Sequence, residues 1–213
     1  MIHPDTELRF IDSEIGYGVF ATALIPRGTV IWVLCRLDLI VTPDELQTLP
    51  APYLPIVEKY AYINADKNHV LCWDHAKYVN HSCEPSMRGV GSEFEIAMRD
   101  LAPGDHITCE YGALNLTRTM QCECGVPRCR GTIGGDDVLT LWRVWDGQVA
   151  QTLPFASDVV QPLFPFARDT EQFWGWVHGK VPIPSQRDYH AGVITGPLDV
   201  SSRPSRDGGV VRA

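Results

Sequence analysis

Basic residues are scarce: Lys and Arg total 18 against 26 Asp and Glu, a formal net charge of −8. Duplex binding needs a positive stripe, so direct nucleic-acid binding is not expected. An acidic surface suits a Lys/Arg-rich partner, although solubility alone also accounts for it. Long apolar runs are missing too. None approaches 18 residues, so no membrane span is expected. The first residues lack a basic-then-apolar secretory pattern, and no basic cluster resembles a nuclear import signal. The expected address is therefore intracellular, cytoplasmic rather than nuclear. Seven cysteines (Cys35, Cys72, Cys83, Cys109, Cys122, Cys124, Cys129) are an odd number, so thiol or metal roles lead over a disulfide framework. Paired C-x-x-C knuckles are absent, which counts against a zinc-ribbon nucleic-acid binder. What remains is ordinary globular material, 45% hydrophobic and 21% charged over 213 residues, enough for one sizeable domain with a smaller addition.

Character changes near residue 135. Upstream, short apolar stretches at 17–21, 29–34, 37–41, 70–73, 94–98 and 106–109 are separated by turn signals. Phe94, Ile96 and Met98 alternate at period two, as a half-buried strand does. Pro26-Arg27-Gly28 and Pro103-Gly104 mark turns. One helix interrupts the strands, with Thr42 as cap, Pro43 at its first position and Glu45 completing a capping box. Downstream, Val138, Leu141, Trp142 and Trp145 have helical spacing, with Asp136 or Asp137 to start and Gly147 to stop. A second helix is expected over 170–177, ending at Gly179, with Phe173, Trp174 and Trp176 as a core or docking cluster. An exposed Trp174 or Trp176 would offer a dimer contact; the oligomeric state is otherwise open. From residue 196 the composition reads as a loose tail.

Cys122-Glu-Cys124-Gly-Val-Pro-Arg-Cys129 places three thiols within eight residues, folded back by a Gly-Pro turn. Tetrahedral zinc needs a fourth ligand, and Cys35, Cys72, Cys83, Cys109 or a histidine can supply it. Arg128 and Arg130 can offset the negative charge of clustered thiolates. Asn80-His81-Ser82-Cys83 groups polar side chains directly after apolar ones, and satisfying its own backbone is the plain reading. His81 as general base with Ser82 or Cys83 as nucleophile is disfavoured, because no acid–base partner accompanies them. Tyr111 ends a strand beside Gly112, as either core or catalytic residue.

Taken in order, Gly16-Tyr-Gly-Val-Phe-Ala, Ile25-Pro-Arg-Gly-Thr-Val-Ile, Asn80-His-Ser-Cys, the run from Arg99 to Gly112, and the C-x-C-x4-C resemble the SET-domain protein-lysine methyltransferases with a post-SET zinc motif. The resemblance covers roughly 8–133. It implies a mainly β SET (β-clip) fold of several short sheets with a knot-like C-terminal segment, followed by a helical, Trp-rich extension that has no family counterpart. The implied boundaries are a SET domain at 8–116, a post-SET motif at 117–135, an extension at 136–195 and a flexible tail at 196–213.

The implied chemistry is methyl transfer from S-adenosyl-L-methionine to a lysine side chain of a protein substrate. Gly16, Tyr17 and Gly18 match the cofactor loop, where glycines let a ligand approach the backbone. Asn80 and His81 match the other cofactor contacts. Cys83 becomes the fourth ligand of one structural zinc ion, with Cys122, Cys124 and Cys129. Tyr60, or Tyr62 in its place, lines the lysine channel with Cys109 and Tyr111, and Tyr111 is the catalytic tyrosine. Two residues before that tyrosine many members carry Phe or Tyr; here Cys109 leaves room for more than one methyl. A second departure is Pro85-Ser86 where Pro-Asn is usual. The alternative is a non-catalytic, zinc-stabilised interaction module retaining the fold, which would have no need for Tyr111, Asn80 and His81 together.

Overall fold

A computed structural model describes residues 1–192; the tail expected from 196 lies outside the described residues. Among the described residues, twelve short strands and four α-helices follow one another. They are β1 (Thr6–Asp12), β2 (Gly16–Ala21), β3 (Val30–Val33), β4 (Leu39–Val41), α1 (Pro43–Thr48), α2 (Leu54–Tyr60), β5 (Tyr62–Ile63), β6 (His69–Leu71), β7 (Asn80–His81), β8 (Met87–Val90), β9 (Phe94–Ala97), β10 (His106–Cys109), β11 (Met120–Gln121), β12 (Thr132–Ile133), α3 (Asp137–Thr152) and α4 (Thr170–Val177). The strands form small sheets ordered β1-β2-β10-β7, β3-β9-β8 and β4-β6-β5, with β11-β12 as a hairpin. No described helix is long and apolar enough to cross a membrane.

The first sheet brings distant chain segments together. β10 runs antiparallel to β2 and parallel to β7, pairing Thr108 with Asn80 and Cys109 with His81. Val19, Ala21 and Ile107 fill the core beneath it and are fully buried. Three of the strands expected from apolar runs are β2, β9 and β10 almost residue for residue. The helix expected from Thr42 is α1: Glu45 donates its N–H to the Thr42 hydroxyl, and its carboxylate accepts from Thr42 N–H.

Residues beyond 135 are built into the body of the fold. The apolar face of the second sheet (Val30, Val33, Val90, Phe94, Ile96) packs against Val149, Leu153, Leu163, Phe173 and Trp176. Gly28 shows how tight this junction is. Its φ is +86°, and a Cβ there would lie 2.7 Å from the Ala156 backbone nitrogen. Gln161 seals the seam, donating to Gly28 O (3.1 Å) and accepting from Val30 N–H (2.8 Å).

Two expectations need correction. α3 does not stop at Gly147 but continues to Thr152. A mid-helix glycine costs about 1 kcal/mol, and burial of Val149 and Thr152 in the following turn outweighs it. Trp176 is no dimer contact either: it is 5% exposed and edges onto Phe94. α4 itself spans 170–177, capped by Asp169, whose carboxylate accepts from Gln172 N–H (2.8 Å).

Candidate functional site

Tyr111 opens a short turn just after β10, and two hydrogen bonds orient it. Its hydroxyl donates to Val79 O (2.7 Å), and its N–H donates to His81 Nδ1 (3.2 Å). Beneath the turn, Glu110 accepts from Gly112 N–H (2.9 Å) and grips Arg130 through both oxygens (2.8 and 2.7 Å). Arg130 also reaches Asp137 at the start of α3 (3.1 Å). Burial pushes the Tyr111 phenol well up, so it stays protonated and can donate. Burial likewise pulls the His81 imidazole down, against the opposing field of Glu110. His81 is then neutral, with Nδ1 accepting from Tyr111, so the 3.6 Å approach to Glu110 is not an ion pair.

A cavity of about 250 Å³ opens beside this turn, and all four of the aromatic and thiol residues expected to line a channel (Tyr60, Tyr62, Cys109, Tyr111) are on its wall. Tyr60 and Tyr62 both line it. Burial holds the Cys109 thiol neutral. Gln186 and Tyr189, from beyond residue 135, complete the rim.

Gly16, Tyr17, Gly18, Asn80 and His81 are absent from that wall. They gather instead around β2 and β7. Asn80 Nδ2 donates to Tyr17 O (3.0 Å) and lies 3.3 Å from His106 Nε2. Gly16 has φ +83° and open space over its α-carbon, which leaves the backbone accessible to a ligand. Gly18 is required for the opposite reason. A Cβ there would meet His106 Nε2 and Ile11 Cδ1 at 2.7 Å and Asn80 Nδ2 at 2.9 Å. Gly18→Ala should therefore displace Asn80 and cost about 1–3 kcal/mol as an overpacking substitution. Thermal unfolding checks the stability, and calorimetry with S-adenosyl-L-methionine checks whether this corner holds it.

The four cysteines implied as ligands converge. Cys122 Sγ lies 3.7 Å from both Cys83 Sγ and Cys129 Sγ, and Cys83 N–H approaches Cys124 Sγ at 3.5 Å. Thiolates around tetrahedral zinc at about 2.3 Å would stand roughly 3.8 Å apart. The spacing therefore suits a metal ion. The ligand atoms of His81, Cys83, Cys122 and Cys124 also all lie within 4.8 Å of one another, which makes His81 the competing fourth ligand. With His81 Nδ1 accepting from Tyr111, Nε2 carries the hydrogen and donates to Cys83 Sγ (3.4 Å), which favours Cys129 as the ligand. Arg130 N–H adds a second donor to Cys83 Sγ (3.4 Å). The side chain of Arg128, by contrast, points to solvent.

Sequence reasoning missed Glu110, the turn-supporting partner of Arg130, and two charged residues on the cavity wall, Arg88 and Glu95. Glu95 carried a signal, being the charged member of an alternating buried strand. Arg88 carried none.

Residues 16–112 match the family described as SET domain. The chain is 30% identical over 141 residues to histone-lysine N-methyltransferase ash1 of Drosophila melanogaster, covering 60% of this chain and 6% of that protein. It is 27% identical over 140 residues to histone-lysine N-methyltransferase Set2 of the same organism, covering 60% and 6%. A histone-lysine N-methyltransferase described as H3 lysine-36 specific, from Cryptococcus neoformans, is 30% identical over 137 residues, covering 56% and 16%. The matched stretch is thus a small fraction of each relative. Relatives named for histone lysines overturn the cytoplasmic address expected from the sequence, because histones package chromosomal DNA. That expectation rested on a missing basic cluster, and an absent signal specifies no compartment.

Proposed function

Because this chain contains a SET domain, we propose that it transfers methyl groups from S-adenosyl-L-methionine to the side-chain amine of lysine in a protein substrate such as a histone tail. The observation that carries the reading is the convergence of Tyr60, Tyr62, Cys109 and Tyr111 on one cavity, while Gly16, Tyr17, Gly18, Asn80 and His81 gather elsewhere. Donor and acceptor would then approach from different faces, as in-line displacement demands.

When bound, the cofactor supplies an electrophilic methyl on a sulfonium. Gly16, Tyr17, Gly18, Asn80 and His81 would hold it, the open space over Gly16 fitting close backbone approach. Tyr111 is the catalytic residue, its hydroxyl fixed by Val79 O at the reacting end of the cavity. Alignment can contribute on the order of 7–11 kcal/mol. An apolar channel beside a sulfonium also disfavours a charged lysine, whose ordinary pKa is about 10.4. One zinc ion held by Cys83, Cys122, Cys124 and Cys129 would pin the β11–β12 hairpin beside Tyr111. The same reading takes 8–116 as the SET domain with its knot-like C-terminal passage, 117–135 as the post-SET motif and the Trp-rich helices as an extension.

Incubation with labelled cofactor and lysine-rich peptides, histone tails included, tests the proposal; cofactor binding without transfer would favour the interaction module instead. Cys109 sets a second expectation. Its small side chain should permit di- or trimethyllysine, and Cys109→Phe should restrict the product to monomethyllysine. Mass spectrometry of a fully modified peptide reads both; monomethyllysine alone from the unaltered protein at long times would refute the steric argument.

A further inference from the structure

The cavity holds an ionisable group that the mechanism has not used. Glu95 lies on β9, opposite Gly89 of β8 and Trp32 of β3. Its carboxylate lines the cavity with Trp32, Tyr62, Cys72 and Cys109, and makes neither a hydrogen bond nor an ion pair among the described residues. A carboxylate with no hydrogen bond and no close ion pair, offset only by the field of Arg88, in a small, mostly apolar cavity has room for a cationic ligand. Tyr62, Cys72, Cys109 and Arg88 share its surroundings, and burial keeps the Cys72 thiol among them neutral. Tyr62 and Cys109 are both pushed up by burial and are neutral. Arg88 is the charged one. The residue is 3% exposed; its guanidinium sits 5.2 Å over the Trp145 ring and leaves Nε and Nη1 without hydrogen-bond partners. Beyond Cys109 lies Glu110, already committed to Arg130.

We infer that Glu95 is the proton acceptor for the substrate lysine, a role that rests on the methyltransferase reading of the same cavity. The lysine enters as an ammonium ion and pairs with the ionised Glu95. One N–H bond then breaks, its electron pair stays on nitrogen as the attacking lone pair, and an O–H bond forms on Glu95. In surroundings of low polarity the neutral amine and acid are favoured over the separated charges. The proton leaves to water through the open end of the cavity after the methylated lysine departs. Burial raises the Glu95 carboxyl to about 7, with Arg88 limiting the rise, which places the acceptor near working pH. The sign is fixed. Glu95 must be ionised to accept, so kcat/KM should climb with pH through about 7 and then level off.

The test compares the unaltered protein with Glu95→Gln and Glu95→Asp in three measurements. In methyl transfer to a lysine peptide, Glu95→Gln is expected to lose about 10²-fold in kcat/KM. Its rise with pH should move up toward the lysine's own ionisation at about 10.4. The loss should narrow with a lysine analogue whose amine is less basic. In calorimetry without cofactor, the unaltered protein should prefer a lysine peptide over its norleucine counterpart, and Glu95→Gln should lose that preference. Glu95→Asp retains a charge toward Arg88 and should recover part of both signals, which separates the role from a folding defect. An unchanged pH profile with an intact lysine preference in Glu95→Gln would overturn the inference while leaving the enzyme reading in place. Absence of transfer by the unaltered protein would overturn the reading beneath it.

Discussion

Tyr111→Phe is expected to lower kcat by about 10²-fold or more on the proposed reading, because the hydroxyl oxygen that Val79 O fixes at the proposed reacting centre, and the alignment it provides, are both lost. The substitution removes one oxygen and keeps the ring. Val79 O loses its donor, at a cost of about 1 kcal/mol for a part-buried hydrogen bond. A domain of this size then melts roughly 2–4 °C lower. The Tyr111 N–H still reaches His81. Cofactor affinity, measured by calorimetry, should therefore stay close to that of the unaltered protein. This split between a large effect on turnover and a small one on binding and melting distinguishes chemistry from architecture. Equal losses in all three would mean that the phenol is merely a strut.

If zinc fills the cysteine cluster as proposed, treatment with a strong chelator, or replacing Cys122 by Ser, is expected to abolish the proposed transfer through the geometry of the turn. Cys122 is the hub of the cluster, with Sγ 3.7 Å from two others, and its N–H donates to Gly131 O (2.8 Å) across the hairpin base. Uncompensated thiolates repel, and zinc binding in small sites is itself folding free energy. Without metal the segment from Met120 to Ile133 should open, and hydrogen exchange there should accelerate while the first sheet stays protected. Arg130 leaves with it. Glu110 would then be a buried carboxylate without its bidentate partner, a loss of about 3–5 kcal/mol when such a pair is broken. Metal analysis by mass spectrometry and exchange at those amides check the chain of events. Comparing Cys129→Ser with His81→Ala settles the fourth ligand, since only the true ligand's variant should lose the ion while folded.

What the amino-acid order disclosed was whatever chemistry is local. The Thr42 to Glu45 capping box, the alternation around Phe94 and Ile96, and the C-x-C-x4-C spacing each act over a few residues. Family likeness supplied the longer-range claims, such as Cys83 joining Cys122. α2 was not anticipated: Pro50, Pro52 and Pro55 crowd its start and interrupt any helical pattern, yet Pro55 occupies the first turn, where no N–H is needed. β7 and β8 lack any strand signature of their own; pairing with β10 and β9 makes them strands. The Glu110–Arg130 pair and the Arg88–Glu95 neighbourhood arise only after tertiary assembly, so no window of sequence could announce them.

The close seam at Gly28 and Gln161 bears on how the protein can be handled. The match to the SET-domain model ends at residue 112, yet the packed core does not. A version trimmed to that boundary would leave Phe94, Ile96 and Val33 facing water along an open sheet, an invitation to clump rather than a smaller catalyst. The segment beyond residue 135 is thus the lid of the hydrophobic interior, and any excised fragment should carry it.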